Sequence, residues 1–527
     1  MSLYSCKGIK DMVTAENTFQ KKFTAPVVIT NQDVLSKSPN GNYQLKVSGS
    51  SYELGYKTGY LVDSLYNHQE AIFFDKVKDM VGSTNKQRFL MRFLKWYHRD
   101  MLDYVPVAYQ EEIFGLAQFS HSALDSLATP FQRAMMLHGA HDIGHAMQDL
   151  MLVGCSSATV QGNYSEDGSI WMARNFDFYV SDAFAENKLV SFVQPGEGYN
   201  YASVSWPGML GVVSGMNDKG IAVTINAAKS SIPFKAKQPI SLIVKEILQY
   251  AKNLEEAKQI VSTKQVFVTE SILIASAFDN QSIVIELSPK KQDVYISNNE
   301  LTVCTNHLQS ELFQKDKNNI KHIETSHSQY RYQVITDFLQ QHAQVNEHVL
   351  AEMLRKTTGI QDEKLGYGNE KALNQLMAHH GVIFHPKTLR VWVSNAPYQL
   401  GTFDMYDLNK VFQSNDISPI KGKEIPQDAF IHSIEYQKLN SYRILLKHVK
   451  ATINSEDVIP LSVAKQLIEN NQEYWEAYFW AGRIAFKNNA YHEAQMYFEE
   501  AQSKVVTTKN DEEAIEKWLI KCQKKIK

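Results

Sequence analysis

Cys155 stands directly after Gly154 in VGCSSATV, residues 153–160, and ARNFDF follows at 173–178. A thiol attacks as the thiolate, so a cysteine nucleophile requires a base and a positive charge that favours the ionised form. Arg174 and Asp177, three apart in RNFD, are of the right types. In extended chain that spacing puts two side chains on opposite faces. They share a site only if the strand bends or ends at Asn175–Phe176. The plainer reading is that a cysteine opening a strand is a small buried hydrophobe.

Other chemistries have weaker support. HGAHDIGH places His138, His141 and His145 at i, i+3 and i+7 of a helix, with Asp142 beside the stripe. Neutral imidazoles so spaced can ligate zinc, although a polar helix face explains them equally simply. His379, His380 and His385 form a second cluster, which the parity of a strand splits between faces. There is no GxxxxGK loop, no GxGxxG after a strand, no HExxH and no GxSxG elbow. Cys6, Cys155, Cys304 and Cys522 are scattered, without a CxxC pair, and cannot make a disulfide framework in 527 residues. With 54 Lys+Arg against 57 Asp+Glu the net charge is −3, which supplies no global attraction to nucleic acid or an anionic membrane. No apolar run approaches a membrane span.

The elements that would position these residues fall in blocks. Residues 1–42 read as irregular chain, and a short strand, YQLKVSG, follows. Residues 51–152 carry apolar residues at three-to-four spacing and read as helices. From Cys155 the chain turns to short β-rich runs: SIWMARNFDFYV, KLVSFVQP, YASVSW, a hairpin turning at NDKG, then SILIASAFD, SIVIELS, DVYISN and LTVCTN. Helices are expected near 239–262 and over 317–356, and a late strand pair joins at HPKT. Hairpins with helices grouped between them predict an α+β fold rather than a parallel doubly wound sheet. From about 437 the chain is helical, and FWAGRIAFKNNAYHEAQMYFEEAQ fits one tetratricopeptide unit with Gly482, Ala494, Phe498 and Ala501 at its packing positions.

The ordered series GCSS, RNFDF, GMNDKGIAVTIN, CTNH and SQYR resembles an N-terminal-nucleophile cysteine hydrolase. It is similar to the acyl-coenzyme A:6-aminopenicillanic-acid acyltransferase family, and shares motifs with bile-salt hydrolases and penicillin V acylases. The likeness runs from about 45 to 405 and includes GSSYELGYKTG and HHGVIFHPKTLRVWVS. It implies a four-layer αββα sandwich and self-cleavage between Gly154 and Cys155, where a glycine permits strained backbone. The new α-amine of Cys155 would serve as base to its own thiol. By the same resemblance Asp177 would orient that amine, and Arg174 would hold the thiolate. Asn226 would supply oxyanion donors, Asn306 would orient the amine or the tetrahedral intermediate, and Arg331 would add positive charge. Residues 43–154 would be a helical leader, 155–436 the catalytic domain and 437–527 a helical tail.

The chain departs from the family in three places. Arg174 stands where the acyltransferase branch tends to carry Gln, which leans toward the hydrolases. The leader is long, like that of the acyltransferases, and the tail belongs to neither branch. The expectation is a self-processing amidohydrolase or acyltransferase acting on a small N-acyl amino compound, without metal or organic cofactor. The alternative is an inactive or metal-dependent binding protein that recruits a partner, or a second copy, through its C-terminal helices. SLYSC faintly resembles the end of a lipoprotein signal, with Cys6 as the lipidated residue. Both the cytoplasm and the cell envelope are compatible with these readings.

Overall fold

The computed structural model describes residues 3–81, 94–121, 125, 128–146, 154–178, 181–229 and 235–527. Positions 3–10, 77–81, 140, 141 and 143–146 are described in backbone alone. The fold is mixed α+β and contains two sheets. The first has nine strands, ordered β1 (Val34–Lys37), β2 (Tyr43–Gly49), β5 (Leu189–Pro195), β6 (Tyr201–Ser205), β7 (Ser214–Asn217), β8 (Ile221–Ala227), β9 (Glu270–Ser276), β10 (Gln281–Leu287) and β11 (Gln292–Tyr295). The second has six, ordered β12 (Leu301–Cys304), β3 (Ser156–Val160), β4 (Trp171–Phe176), β13 (His380–His385), β14 (Arg390–Ser394) and β15 (Phe403–Asp407). Neighbours run antiparallel except β2 and β5, which are parallel. The NDKG turn lies between β7 and β8. There the Asn217 side chain accepts from the N–H groups of Lys219 and Ile221, and Gly220 has φ +75°.

Strand alternation assigns each face a partner. On β4, Met172 packs with Val382 and Phe384 of the same sheet and with Phe192, Met216 and Leu273 of the nine-stranded sheet. The alternate residues Trp171 and Ala173 pack instead with Val334, Ile335 and Leu354, from the helices Ser328–Gln341 and Glu347–Arg355. The opposite side of the nine-stranded sheet, through Val223, Ile225, Ile272 and Ile274, meets Ile243, Val244 and Ile247 of the helix Ile240–Tyr250.

The segment before Cys155 is woven into this body. It contributes β1 and β2 to the nine-stranded sheet. Its helices Ser51–Leu61 and Val107–Ala117 cross so closely that a Cβ on Gly55 would lie 1.7 Å from the Glu112 carbonyl oxygen. Glu112 and Lys245 form a buried ion pair joining the helix Val107–Ala117 to the helix Ile240–Tyr250. The N-terminus differs from the irregular chain read there, because Leu3–Lys22 is a helix and Val34–Lys37 a strand. Met12, Ala15 and Phe19 recur at helical spacing, and they pack against Tyr52, Phe114 and Phe131. That tertiary burial outweighs the helix's polar composition.

Five helices close the chain: Ile434–Thr452, Leu461–Asn470, Trp475–Lys487, Tyr491–Ser503 and Lys509–Ile526. They share one apolar cluster that also takes in Leu376 and Leu400 of the body. Among the described residues no helix is long and apolar enough to cross a membrane.

Candidate active site around Cys155

Cys155 is fully buried immediately before β3. β3 pairs with β4 so that Ser157 lies opposite Arg174 and Ser156 opposite Asn175. This register brings Arg174 to the thiol, with Nη2 donating to Sγ at 3.4 Å. Arg174 points between the sheets, where Nη1 donates to the Val213 carbonyl at 2.7 Å and to Ser214 Oγ. Its Nη2 also donates to the Ile225 carbonyl, and its guanidinium lies 4.2 Å from the centre of the Phe176 ring.

β4 ends at Phe176, so the opposite-face constraint on Arg174 and Asp177 does not apply. The Asp177 carbonyl accepts from the Gly154 N–H at 3.1 Å. Its carboxylate is fully buried, and among the described residues neither oxygen has a hydrogen-bond partner. Burial pushes the carboxyl up to about 8, against the pull of Arg331 and Arg174. Burial also raises the Cys155 thiol, Arg174 lowers it, and Asp177 raises it further. Cys155 is therefore held as a thiol, with the Asp177 carboxyl and two guanidiniums beside it.

Arg331, on the helix Ser328–Gln341, approaches from the other side of the six-stranded sheet. Nη1 donates to the Cys155 carbonyl at 2.6 Å and to Ser156 Oγ at 2.8 Å, and Nη2 donates to Asn306 Oδ1 at 2.5 Å. Asn306 Nδ2 donates to the Ala227 carbonyl at 2.8 Å, and its N–H donates to Ser328 Oγ at 2.8 Å. Asn226, near the end of β8, accepts from Ser157 Oγ at 2.9 Å and donates through Nδ2 to the Cys304 carbonyl at 2.9 Å. One of its two amide protons thus remains for another acceptor. Arg174, Asp177 and Arg331 touch the Gly154–Cys155 junction and Asn306 is held by Arg331, whereas Asn226 contacts Ser157 and Cys304.

Gly154 requires a correction to the strained-backbone expectation. It is not among the glycines at positive φ. The reason for glycine is space, since a Cβ there would lie 2.4 Å from Gln375 Nε2 and 2.8 Å from its Oε1. Gln375 was not singled out from the sequence. Nor was His327, whose Nδ1 accepts from Arg331 Nε at 3.1 Å, whereas Ser328 opens the SQYR run. Gln375 and His327 lie far from Cys155 along the chain, outside the motifs that mark the site.

The histidine candidates are occupied elsewhere. His138 Nδ1 contacts the Ala134 carbonyl at 2.7 Å, and Nε2 accepts from the Leu210 N–H at 3.1 Å, so both ring nitrogens hold backbone. Burial keeps this ring neutral, pulling it down to about 4. Asp142 accepts from the Ile240 N–H at 2.9 Å. The side chains of His141 and His145, like that of Cys6, lie outside the described residues. His379 and His380 meet Nδ1 to Nδ1 at 2.9 Å, and His380 Nε2 reaches Ser214 Oγ at 2.9 Å. His385 sits at the other end of β13, stacked on Trp171. Among the described residues no group of three or more His, Cys, Asp or Glu is placed to hold a metal ion.

The family model described as acyl-coenzyme A:6-aminopenicillanic acid acyl-transferase matches residues 164–395. The match includes Arg174, Asp177, Asn226, Asn306 and Arg331, and begins after Cys155. An uncharacterised protein of Archaeoglobus fulgidus is 28% identical over 236 residues, 41% of this chain and 38% of its own length. Protein dcd1B of Dictyostelium discoideum is 20% identical over 268 residues, 46% of this chain and 50% of its own. The chain thus spans half or less of the length of these curated relatives. Among solved structures, the Caenorhabditis elegans ortholog of N-acylethanolamine-hydrolyzing acid amidase is 18% identical, covers 44% of this chain and 93% of its own, and has a TM-score of 0.33. A conjugated bile acid hydrolase from Clostridium perfringens is 13% identical, covers 51% and 96%, and has a TM-score of 0.34. Over residues 164–395 the chain resembles the acyl-coenzyme A:6-aminopenicillanic acid acyl-transferase family.

Proposed function

We propose that this chain is a self-processing cysteine enzyme that cleaves or transfers the acyl group of a linear amide through a thioester on Cys155. The observation that carries the reading is Asp177, a buried carboxylate without a hydrogen-bond partner among the described residues, hydrogen-bonded through its backbone to Gly154. An unpaired buried carboxylate is costly to a fold. A new ammonium on Cys155, released by a cut at Gly154–Cys155, would supply the hydrogen-bond donor it lacks.

In the cut, the Cys155 thiol adds to the Gly154 carbonyl carbon, and Asp177 takes the thiol proton. The C–N bond breaks, the proton passes to the departing nitrogen, and a thioester remains until water releases Gly154 as a carboxylate. The freed α-amine titrates near pH ~8 and becomes the base toward its own thiol. Arg174 then stabilises the thiolate, while Asp177 orients the amine. The spare proton on Asn226 Nδ2 serves the oxyanion, and Arg331 fixes Asn306 and the Cys155 carbonyl. An amine leaves as the acyl-enzyme forms, and water or a second amine resolves the thioester.

Beyond the Phe176 ring lies a recess lined by Tyr66, Phe73, Phe178, Phe184, Trp206 and Met209. Trp206 stacks on Phe178 with centroids 5.8 Å apart and lies near-parallel to Phe176 at 6.4 Å. Such an aromatic wall suits a fatty or aryl acyl group. We read the two sheets and their flanking helices as the four layers αββα, and the tail as tetratricopeptide-like helical pairs seated on the body.

Intact mass of the purified wild type beside Cys155→Ala tests the reading. Wild type should resolve into fragments 1–154 and 155–527, with the mutant whole. A wild type that stays whole on incubation would remove the α-amine base and with it the proposed mechanism.

A further inference from the structure

Gly154 and Cys155 are gripped at four atoms around the bond that joins them. The Gly154 N–H is held by the Asp177 carbonyl, the Cys155 carbonyl by Arg331, and Sγ by Arg174. The fourth contact is on the Gly154 carbonyl oxygen, where Gln375 Nε2 donates at 3.2 Å. When Sγ adds to the Gly154 carbonyl carbon, the carbonyl electron pair moves onto this oxygen. Gln375 is the side chain that touches it.

We propose that Gln375 is the oxyanion donor of the self-cleavage at Gly154–Cys155. The proposal rests on the reading of Cys155 as a self-processing nucleophile. The step balances without a co-reactant other than water. The S–C bond forms, and the oxyanion is held by the Gln375 N–H. The oxyanion then collapses to break the C–N bond, and the thiol proton ends on the Cys155 nitrogen. Water next splits the thioester, leaving the Gly154 carboxylate and the restored thiol.

Two features show that the amide is built into place. Gln375 is 1% exposed, in the segment leading into β13, and the absence of a Cβ on Gly154 is what lets it approach. The segment is tied down on both sides. Asn175 Nδ2, on the helix-facing side of β4, donates to the Leu373 carbonyl at 2.9 Å and to the Leu354 carbonyl at 2.8 Å. From the tail, Arg443 Nη2 donates to the Leu376 carbonyl at 2.5 Å. Leu376 itself has φ +55°, with its N–H on Asn374 Oδ1 at 3.0 Å. Gln375 is thus flanked by anchors to the sheet and to the C-terminal helices.

The test follows cleavage of the full chain over time by intact mass. Gln375→Met keeps the length of the side chain and removes the donor, and it should slow appearance of the 155–527 fragment ~10²–10³-fold. Gln375→Glu adds a readout that packing alone would not move. Protonated, it can still donate; ionised, it cannot. Its rate relative to wild type at the same pH should fall as pH rises. Circular dichroism and a cooperative melt establish that each variant is folded, and the Glu variant serves if the Met variant is not. A wild type that never cuts would overturn the self-processing reading and the proposal together. A wild type that cuts, with a folded Met variant cutting at the same rate or a Glu variant whose ratio is flat with pH, would overturn the role of Gln375 alone.

Discussion

Arg331 fixes the orientation of Asn306: the guanidinium Nη2 donates to Oδ1 at 2.5 Å, and this leaves Nδ2 to face the Ala227 carbonyl at 2.8 Å. An amide has one acceptor and two donors, and a guanidinium accepts nothing, so the pairing admits one way round. The other terminal nitrogen of Arg331 holds the Cys155 carbonyl and Ser156 Oγ. A single planar fork thus ties the Cys155 backbone to Asn306.

Lysine cannot reproduce that fork. Arg331→Lys should therefore lose most of the activity on an N-acyl amide, with kcat/KM down ~10²-fold or more. The charge is retained in this variant. Activity near the wild-type value would show that charge alone is required.

Asp177 predicts a pH dependence of stability in the uncut chain. Its carboxyl is pushed up to about 8 in the folded state, against an ordinary value of 3.8. The folded state therefore binds the extra proton between these values, and stability falls as pH rises from about 4 to about 8. Melting temperatures of Cys155→Ala across this range should show the fall. Adding Asp177→Asn should flatten that component, and an unchanged slope would assign it to other groups.

Glu112 and Lys245 are both buried, and burial opposes the charge on each. Lys245→Met alone strands a carboxylate and should cost about 3–5 kcal/mol. Pairing it with Glu112→Leu removes both charges and should recover much of that loss. Denaturant unfolding of the two variants measures the difference, and a double variant no more stable than the single one would contradict it.

The aromatic recess predicts selectivity. Trp206→Ala removes the ring that stacks on Phe178, and should lower kcat/KM for long-chain or aryl amides ~10-fold relative to the acetyl amide, the order expected for a lost apolar wall. A uniform loss across acyl groups would place the acyl chain elsewhere.

The legible parts of this protein were those with a local signature. Cys155, Arg174 and Asp177 lie within one hairpin, and the turn at Asn217–Gly220 is written in its own four residues. Asn226, Asn306 and Arg331 were reached through the order of motifs along the chain, not by spacing. Gln375 had no signature, because its contact with Gly154 closes over a separation of 221 residues. The same limit hid the helix Leu3–Lys22, whose apolar face has meaning only against Phe114 and Phe131. The glycine at 154 was noticed, but its cause was misassigned. A backbone constraint was expected, whereas the constraint is a neighbouring side chain.

The parallel pairing of β2 with β5 bears on what a cut at Gly154–Cys155 would produce. The severed N-terminal piece would still occupy two places in a continuous ladder, with Glu112 locked to Lys245. Drawing it away would bare the backbone of β5 as an unprotected edge, which invites pairing with foreign strands. On the proposed cut, the bond at Gly154 would serve to bring the halves together during folding and not to keep them together afterwards. Two separately synthesised pieces would meet as sticky, incomplete sheets, and a chain folded whole before it is nicked never passes through that state.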